Sequence, residues 1–204
     1  TRATRRAGAR RAWREVTGGD PTGAAENTGP RTRATWQGGA VTEVDEWLRN
    51  KVRAIGAEAW LDELPDLLAS LRDEWGLRLG RAYDGGTEAY VVEAWLDDGT
   101  PAVLKLLVPR GDDIADHEIT VLRLAAGDGC ALLLRDDPDR LALLVERLGP
   151  SMFDLGLPFA RRLPLLADTA ARVWRPAPDA GLPNGAEKGR WLIDHITRSW
   201  EELD

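Results

Sequence analysis

An alternating pattern of apolar residues, broken by tight turns, is the feature that most constrains the fold of this chain. Between residues 79 and 108 the helical periodicity of the preceding segment gives way to short apolar runs with a period of two, as along a strand. The turn Asp97-Asp98-Gly99-Thr100 contains an Asp-Gly pair, which supplies the positive φ angles of a hairpin. The pattern predicts three consecutive antiparallel strands, at residues 79–83, 90–96 and 101–108.

Helices and two further strands are predicted around this unit. A helix is expected at residues 115–126, and two short strands, 131–135 and 141–145, flank the turn 136–139. Helical spacing of apolar residues is found before the sheet and again beyond Glu146. Within the first of these regions, Pro65 is predicted to mark the first turn of a new helix. The fold class is therefore α+β, with a five-stranded antiparallel sheet and one helix inserted after the third strand.

Composition excludes several classes of protein. The 204 residues are 43% apolar and 30% charged, which allows a packed core. One cysteine, Cys130, excludes an internal disulfide framework and suits a cytoplasmic protein. With only two histidines, the usual zinc sites cannot be built. No apolar run approaches 18 residues, so we expect no membrane span.

The charge is distributed unevenly along the chain. Residues 1–40 hold eight arginines and three acidic residues, a net charge of +5, and they lack apolar periodicity. We expect them to form a disordered basic tail. The remainder carries a net charge of −12, which disfavours nucleic acid as a partner because phosphate contacts need clustered Lys and Arg.

Lys105 is the only polar side chain in the third predicted strand, where Val103 and Leu107 share its face. An ammonium group on such a surface needs an anionic partner, because its desolvation is otherwise costly. Glu118 is the matching residue, since it falls within the apolar stripe of the next helix. That stripe is formed by Ile114, Val121, Leu122 and Ala125.

These two opposite charges predict a buried Lys105–Glu118 pair. Two alternatives stay open: Lys105 could lie on an edge strand and reach solvent, and Glu118 could lie at the edge of its stripe. Asp116 and His117 are rival partners for the lysine, although the helical stripe favours Glu118.

A glycine-rich turn, Gly85-Gly86-Thr87, joins the first two predicted strands. A backbone without Cβ atoms can approach a phosphate closely, although any hairpin can also use two glycines.

The order of these features resembles the small lobe of protein-kinase-like phosphotransferases: a glycine hairpin, a lysine on the third strand and a glutamate on the next helix. More narrowly, the chain resembles the aminoglycoside and hydroxyurea phosphotransferase family, which includes streptomycin 6-kinases. The stretches that carry this resemblance are residues 60–65, 75–77, 98–106, 127–134, 143–148, 166–174 and 185–188.

The resemblance implies a division of the chain into four parts. Residues 1–40 are the tail, 41–78 are N-terminal helices, 79–148 form the kinase-like small lobe, and 149–204 begin a helical large lobe that is truncated. It further implies transfer of a phosphoryl group from ATP, with Mg²⁺, to a hydroxyl of an aminoglycoside such as streptomycin, or to hydroxyurea, conferring antibiotic resistance.

Roles for individual residues also follow only from the resemblance. Lys105 would hold the α- and β-phosphates of ATP, and Glu118 would orient Lys105. Gly85, Gly86 and Thr87 would lie over the phosphates. The backbone of a hinge segment would read the adenine edge, while its charged side chains need not touch ATP. That segment consists of Val145, Glu146, Arg147 and Leu148.

One departure from the family is large. The family's catalytic loop, His-Gly-Asp followed by Asn, and its second metal-binding aspartate are absent from this sequence. We read Ile193-Asp194-His195-Ile196 as part of an amphipathic helix, and expect the catalytic aspartate and the metal ligands beyond Asp204. The chain as given is therefore predicted to be an inactive fragment. The alternative is a non-catalytic kinase-like module that binds a nucleotide or a partner.

Overall fold

The computed structural model describes residues 44–86, 88–110, 114–152, 154–177 and 179–201. The predicted tail, residues 1–40, lies outside these ranges. The elements in chain order are α1 (Glu46–Ala54), α2 (Glu58–Trp75), β1 (Arg78–Ala82), β2 (Ala89–Trp95), β3 (Pro101–Leu107), α3 (Ile114–Ala125), β4 (Leu133–Asp137), β5 (Ala142–Glu146), α4 (Phe159–Val173) and α5 (Gly185–Glu201).

The five strands form one antiparallel sheet in the order β1-β2-β3-β5-β4. This confirms the predicted sheet, with its single helix inserted after the third strand. The β2–β3 hairpin closes as expected: Gly99 has a φ of +81°, and the Leu96 N–H donates to the Thr100 carbonyl over 3.0 Å. β3 is the central strand, so residues on it are fixed by neighbours on both sides.

One face of the sheet packs against the N-terminal helices. On β3 the alternate residues Ala102, Leu104 and Leu106 are completely buried in this layer. The helices contribute Leu48 and Val52 from α1 and a longer apolar row from α2. Each fully buried aliphatic side chain stabilises such a core by about 1.5–3 kcal/mol. The layer is dry enough that burial raises the pKa of Tyr90 on β2 to about 12.

The prediction that a new helix begins at Pro65 is wrong, because α2 runs through it without a break. Pro65 lies on the exposed face of α2, where water can solvate the carbonyl of Leu61 that loses its intrahelical partner. The buried face continues on both sides of the proline and holds the helix in register. Its residues are Trp60, Leu64, Leu68, Leu71 and Trp75.

The other face of the sheet, which carries Lys105, is covered by α3. Ile119 of that helix is 2% exposed and packs with Leu107 and Leu143 from the two central strands. This second layer is smaller, and Val91, Val103 and Val145 on the same face are only partly buried. This partly exposed area is the open part of the sheet, on which the candidate site lies.

Helices α4 and α5 follow the sheet. The end of α4 approaches the loop after α3, since a Cβ on Gly129 would lie 2.8 Å from the Thr169 carbonyl oxygen. Arg175 then pairs with Asp128 of that loop at 3.0 Å. The apolar side chains of α5 are exposed, including Ile193 and Trp200. None of the described helices combines the length and the apolar character needed to cross a bilayer.

Candidate functional site

The ion pair between Lys105 and Glu118 is present. The lysine Nζ donates to Glu118 Oε1 over 2.6 Å and to Oε2 over 2.8 Å, so both carboxylate oxygens hold it. The side chains are 28% and 31% exposed, so the pair is half-buried rather than buried as predicted. Solvent reaches both groups, and a bound anion could also reach the ammonium.

Strand register explains where Lys105 lies. It is flanked by Val91 of β2 and Leu143 of β5, and two residues earlier Val103 lies opposite Val145. A cation therefore projects from an apolar sheet face beside a row of valines. This combination suits a ligand with a flat apolar part and an anionic part.

The helical stripe proposed for α3 needs one correction. Ile119, which the stripe did not include, is as deeply buried as Ala125, which it did include, and Glu118 lies beside the isoleucine at the edge of the interface. The isoleucine anchors the helix on the sheet, and the neighbouring glutamate is thereby brought to Lys105. The rival partner Asp116 is exposed.

The glycine turn lies between β1 and β2, as predicted, and Thr87 falls outside the described residues. Gly85 has a φ of +81°, a conformation that disfavours any residue with a Cβ. A Cβ on Gly86 would lie 2.6 Å from the Ala89 carbonyl oxygen, so this position also requires glycine.

Helix α1 contacts this turn directly. The Gly85 N–H donates to Asp45 Oδ2 over 2.6 Å. Glu88, just after the turn, pairs with Lys51 of α1 at 3.9 Å and also with Arg110. Sequence reasoning missed Asp45: the residue can be recognised as a helix N-cap, but nothing local indicates that it reaches Gly85.

The hinge segment, residues 145–148, is tied to the protein by its side chains. Glu146 Oε1 accepts the Leu132 N–H over 3.0 Å. Arg147 pairs with Glu93 of β2 at 3.3 Å, and its guanidinium lies 4.6 Å from the centre of the Trp95 ring. Leu148 is 64% exposed. The adenine-reading role assigned to this segment stays a prediction.

Trp95 is a second feature that the sequence did not reveal. By register it lies on the same face as Lys105, and its ring has Arg78 3.9 Å from its centre in addition to Arg147. The ring extends over Gly80 of β1, where a Cβ would lie 2.6 Å from it. A stacked aromatic flanked by two guanidinium groups thus borders the open part of the sheet.

Other candidate chemistry is weak. Burial raises the pKa of the Cys130 thiol, which disfavours the thiolate that a nucleophile needs. His195 stacks on Trp191 with ring centres 5.2 Å apart, within the exposed helix α5. Among the residues that the structure describes, no three His, Cys, Asp or Glu side chains converge as a metal site.

Comparison with known proteins identifies the family. Residues 80–186, just over half of the chain, match the family described as "Aminoglycoside/hydroxyurea antibiotic resistance kinase". The matched segment contains the glycine turn, Lys105, Glu118 and the hinge segment. No solved structure gives a significant match.

Curated relatives agree with the family match. A streptomycin 6-kinase of Streptomyces glaucescens is 42% identical over 101 residues, covering 48% of this chain and 32% of that protein. A hydroxyurea phosphotransferase of Kitasatospora aureofaciens is 38% identical over 113 residues, covering 54% and 33%. A streptomycin 6-kinase of Streptomyces griseus is 38% identical over 93 residues, covering 46% and 30%. The chain spans about a third of the length of these relatives. It belongs to the aminoglycoside/hydroxyurea antibiotic resistance kinase family.

Proposed function

We propose that this chain supplies the nucleotide-binding face of an ATP-dependent phosphotransferase that modifies a hydroxyl of an aminoglycoside, or hydroxyurea. The observation that carries the proposal is the Lys105–Glu118 pair. A central strand and the following helix hold a half-buried ammonium, and the ammonium, its glutamate and the glycine turn all lie in the segment matched by the family. Phosphoryl transfer depends mainly on positioning and charge stabilisation, which such an ammonium provides.

Each part of the site has a separate task in this proposal. Lys105 neutralises charge on the α- and β-phosphates, and the two oxygens of Glu118 restrict its Nζ to one place. The face formed by Val91, Val103 and Val145 suits the flat adenine ring. The backbone of the glycine turn then closes over the phosphates.

The two candidate acceptors come from the names of the relatives. Their names divide between streptomycin and hydroxyurea, so the family match does not favour either one. A net charge of −12 outside residues 1–40 would raise the local concentration of a cationic aminoglycoside more than that of neutral hydroxyurea. This favours an aminoglycoside as the first acceptor to test.

Mg²⁺ accompanies ATP in kinases, but the residues described here do not fit a magnesium site. No group of three acidic, cysteine or histidine side chains converges among them, and the carboxylate of Glu118 is already bonded to Lys105 through both oxygens. The sequence also lacks a His-Gly-Asp loop, so we propose that the 204 residues bind nucleotide weakly and do not transfer phosphate by themselves.

The decisive experiment compares Lys105→Ala with Lys188→Ala. Lys188 is a matched control because it also contacts another side chain of the protein. Its Nζ lies 4.1 Å from the centre of the Trp191 ring, on α5 and outside the site. ATP binding to the chain would be followed by NMR titration, which detects millimolar affinity. Turnover of streptomycin and hydroxyurea would be followed with labelled ATP in the natural full-length protein. We expect Lys105→Ala to abolish detectable binding and lower turnover by orders of magnitude, with Lys188→Ala near wild type; equal behaviour of the two variants would refute the site.

A non-catalytic binding module is the second candidate. The observation that favours it is the absence of any His-Gly-Asp sequence from the 204 residues. The same titration separates the candidates when it is combined with the turnover assay. ATP binding that depends on Lys105, without phosphorylation of streptomycin or hydroxyurea by the full-length protein, would favour the non-catalytic binding module. Phosphorylation of either acceptor would exclude that candidate.

A further inference from the structure

Asp45 performs two tasks with its two carboxylate oxygens. Oδ1 accepts the Leu48 N–H over 2.8 Å and so caps the N-terminus of α1. Oδ2 accepts the Gly85 N–H over 2.6 Å, from the glycine turn 40 residues away in sequence. The cap alone would need only one oxygen, so the second bond calls for a separate explanation.

The position of Asp45 is itself fixed. Helix α1 is anchored in the main core through Leu48, 2% exposed, and Val52, which is fully buried. The same helix makes a second contact on the far side of the turn, between Lys51 and Glu88. A core-anchored helix therefore holds the turn at both ends.

Gly85 has little else to hold it. Apart from its chain neighbours Asp84 and Gly86, no described residue has an atom within 4 Å of the place where its Cβ would be, and its φ of +81° is one that glycine leaves easily. A turn of this kind loses much conformational entropy when it closes on a ligand. A hydrogen bond that orders it beforehand removes part of that cost.

We propose that Asp45 is a positioning residue for nucleotide binding, which fixes the glycine turn through the Gly85 N–H in the conformation that receives the phosphates. The inference rests on the nucleotide site proposed above, and it adds the N-terminal helix to that site. Asp45 acts through the turn and does not contact the nucleotide.

The sign of the expected effect separates this role from simple electrostatics. Removing a negative charge near a phosphate site would by itself tighten the binding of ATP. Loss of the tether should weaken it, because the turn must then be ordered by the ligand. For an exposed, charge-assisted hydrogen bond we expect the dissociation constant for ATP to rise about two- to fivefold at physiological salt.

Asp45→Asn is the primary variant. Asparagine caps helices as well as aspartate does, but its amide nitrogen cannot accept the Gly85 N–H while its oxygen accepts that of Leu48. Asp45→Ser is the second variant, since it keeps the cap with a single oxygen. Asp98→Asn is the matched control. Asp98 accepts the Thr100 N–H over 2.8 Å in the other hairpin, and the substitution removes the same charge as Asp45→Asn.

Two measurements on the 204-residue chain test the proposal. Amide hydrogen exchange of Gly85, measured without nucleotide, should be faster in both Asp45 variants and unchanged in Asp98→Asn, with similar melting temperatures. NMR titration with ATP should show weaker binding only in the Asp45 variants. Unchanged Gly85 exchange would overturn the tether, and faster exchange with equal or tighter ATP binding would overturn the positioning role. If the wild type binds no ATP, the nucleotide site fails and this role fails with it, while the exchange data still report whether the turn is tethered.

Discussion

The Lys105–Glu118 pair leads to a prediction about two substitutions whose effects on stability and on turnover rank in opposite orders. Glu118→Gln removes the anion and leaves an ammonium on the central strand of the sheet. Lys105→Met removes the cation, and its unbranched apolar side chain suits the face shared with Val103 and Leu107. We expect Glu118→Gln to destabilise the fold more, and Lys105→Met to reduce turnover more.

The magnitude follows from the geometry. Exposed ion pairs contribute about 0–1 kcal/mol, whereas breaking a fully buried one costs about 3–5 kcal/mol. Exposures of 28% and 31% place this pair between those limits. We therefore expect about 1–2 kcal/mol for Glu118→Gln. We expect about 0–1 kcal/mol for Lys105→Met, because an unpaired Glu118 on the edge of α3 can turn towards water.

Turnover should respond in the reverse order. Without Lys105 the proposed site has no cation at the phosphates, so the rate should fall by orders of magnitude. With Glu118→Gln the cation remains but is less well held, so the loss should be smaller.

Urea unfolding of both single variants and the double variant would give the stabilities and the coupling energy. Activity would be measured in the natural full-length protein. The solvated pair Arg72–Asp73, at 2.7 Å, is the control and should show no measurable coupling. Coupling below about 0.3 kcal/mol for Lys105–Glu118, or equal turnover in the two variants, would refute the reasoning.

Three further predictions concern other parts of the molecule. Gly80→Ala would place a Cβ 2.6 Å from the Trp95 ring, so it should displace the indole, shift its fluorescence and lower the melting temperature; unchanged fluorescence would contradict the packing described here. Burial tends to raise the pKa of Asp137, but hydrogen bonds from Arg140 outweigh it and lower that pKa. The contact therefore stabilises the fold above about pH 4, and this stabilisation is lost as the pH falls through the lowered pKa. Asp137→Asn should flatten that part of the stability profile, and an unaltered profile would show that the pair is not formed. Finally, trypsin should trim residues 1–40 rapidly and leave the melting temperature unchanged, whereas slow cleavage would show that they pack.

The sheet could be predicted because its signals are local. Alternation along the strands and the Asp98-Gly99 turn fix β1, β2 and β3 almost to the residue. The sequence predicts the fourth strand two residues too early, because β4 contains an irregularity and continues through Asp136 and Asp137. The sequence predicts that those aspartates belong to the turn 136–139. In the fold they accept bonds from Arg123 and Arg140, which no local pattern reveals.

Tertiary packing explains the other differences between the predictions and the structure. Pro65 is a strong helix-boundary signal, but the buried face of α2 outweighs one lost hydrogen bond. In the site, the pairing of Lys105 with Glu118 could be predicted because each charge interrupts an apolar face. The contacts of Asp45 with Gly85 and of Trp95 with Gly80 could not, because each joins residues whose own neighbourhoods give no sign of the partner.

The strand order has a consequence for how the chain folds. β1, β2 and β3 are sequential neighbours joined by short turns, and β4 and β5 form a separate hairpin. The β3–β5 pairing must close a loop that contains α3 and β4. Closing this loop costs more conformational entropy than closing a hairpin, so we expect this pairing to form last in the sheet. Lys105 lies opposite Leu143 across that seam, and Arg147 is bonded to Pro101 at its end. A partly unfolded form could keep the first three strands on their helices and release β5. In that form the hinge segment would leave the nucleotide face. Native-state hydrogen exchange should therefore show β4 and β5 opening together, before β2.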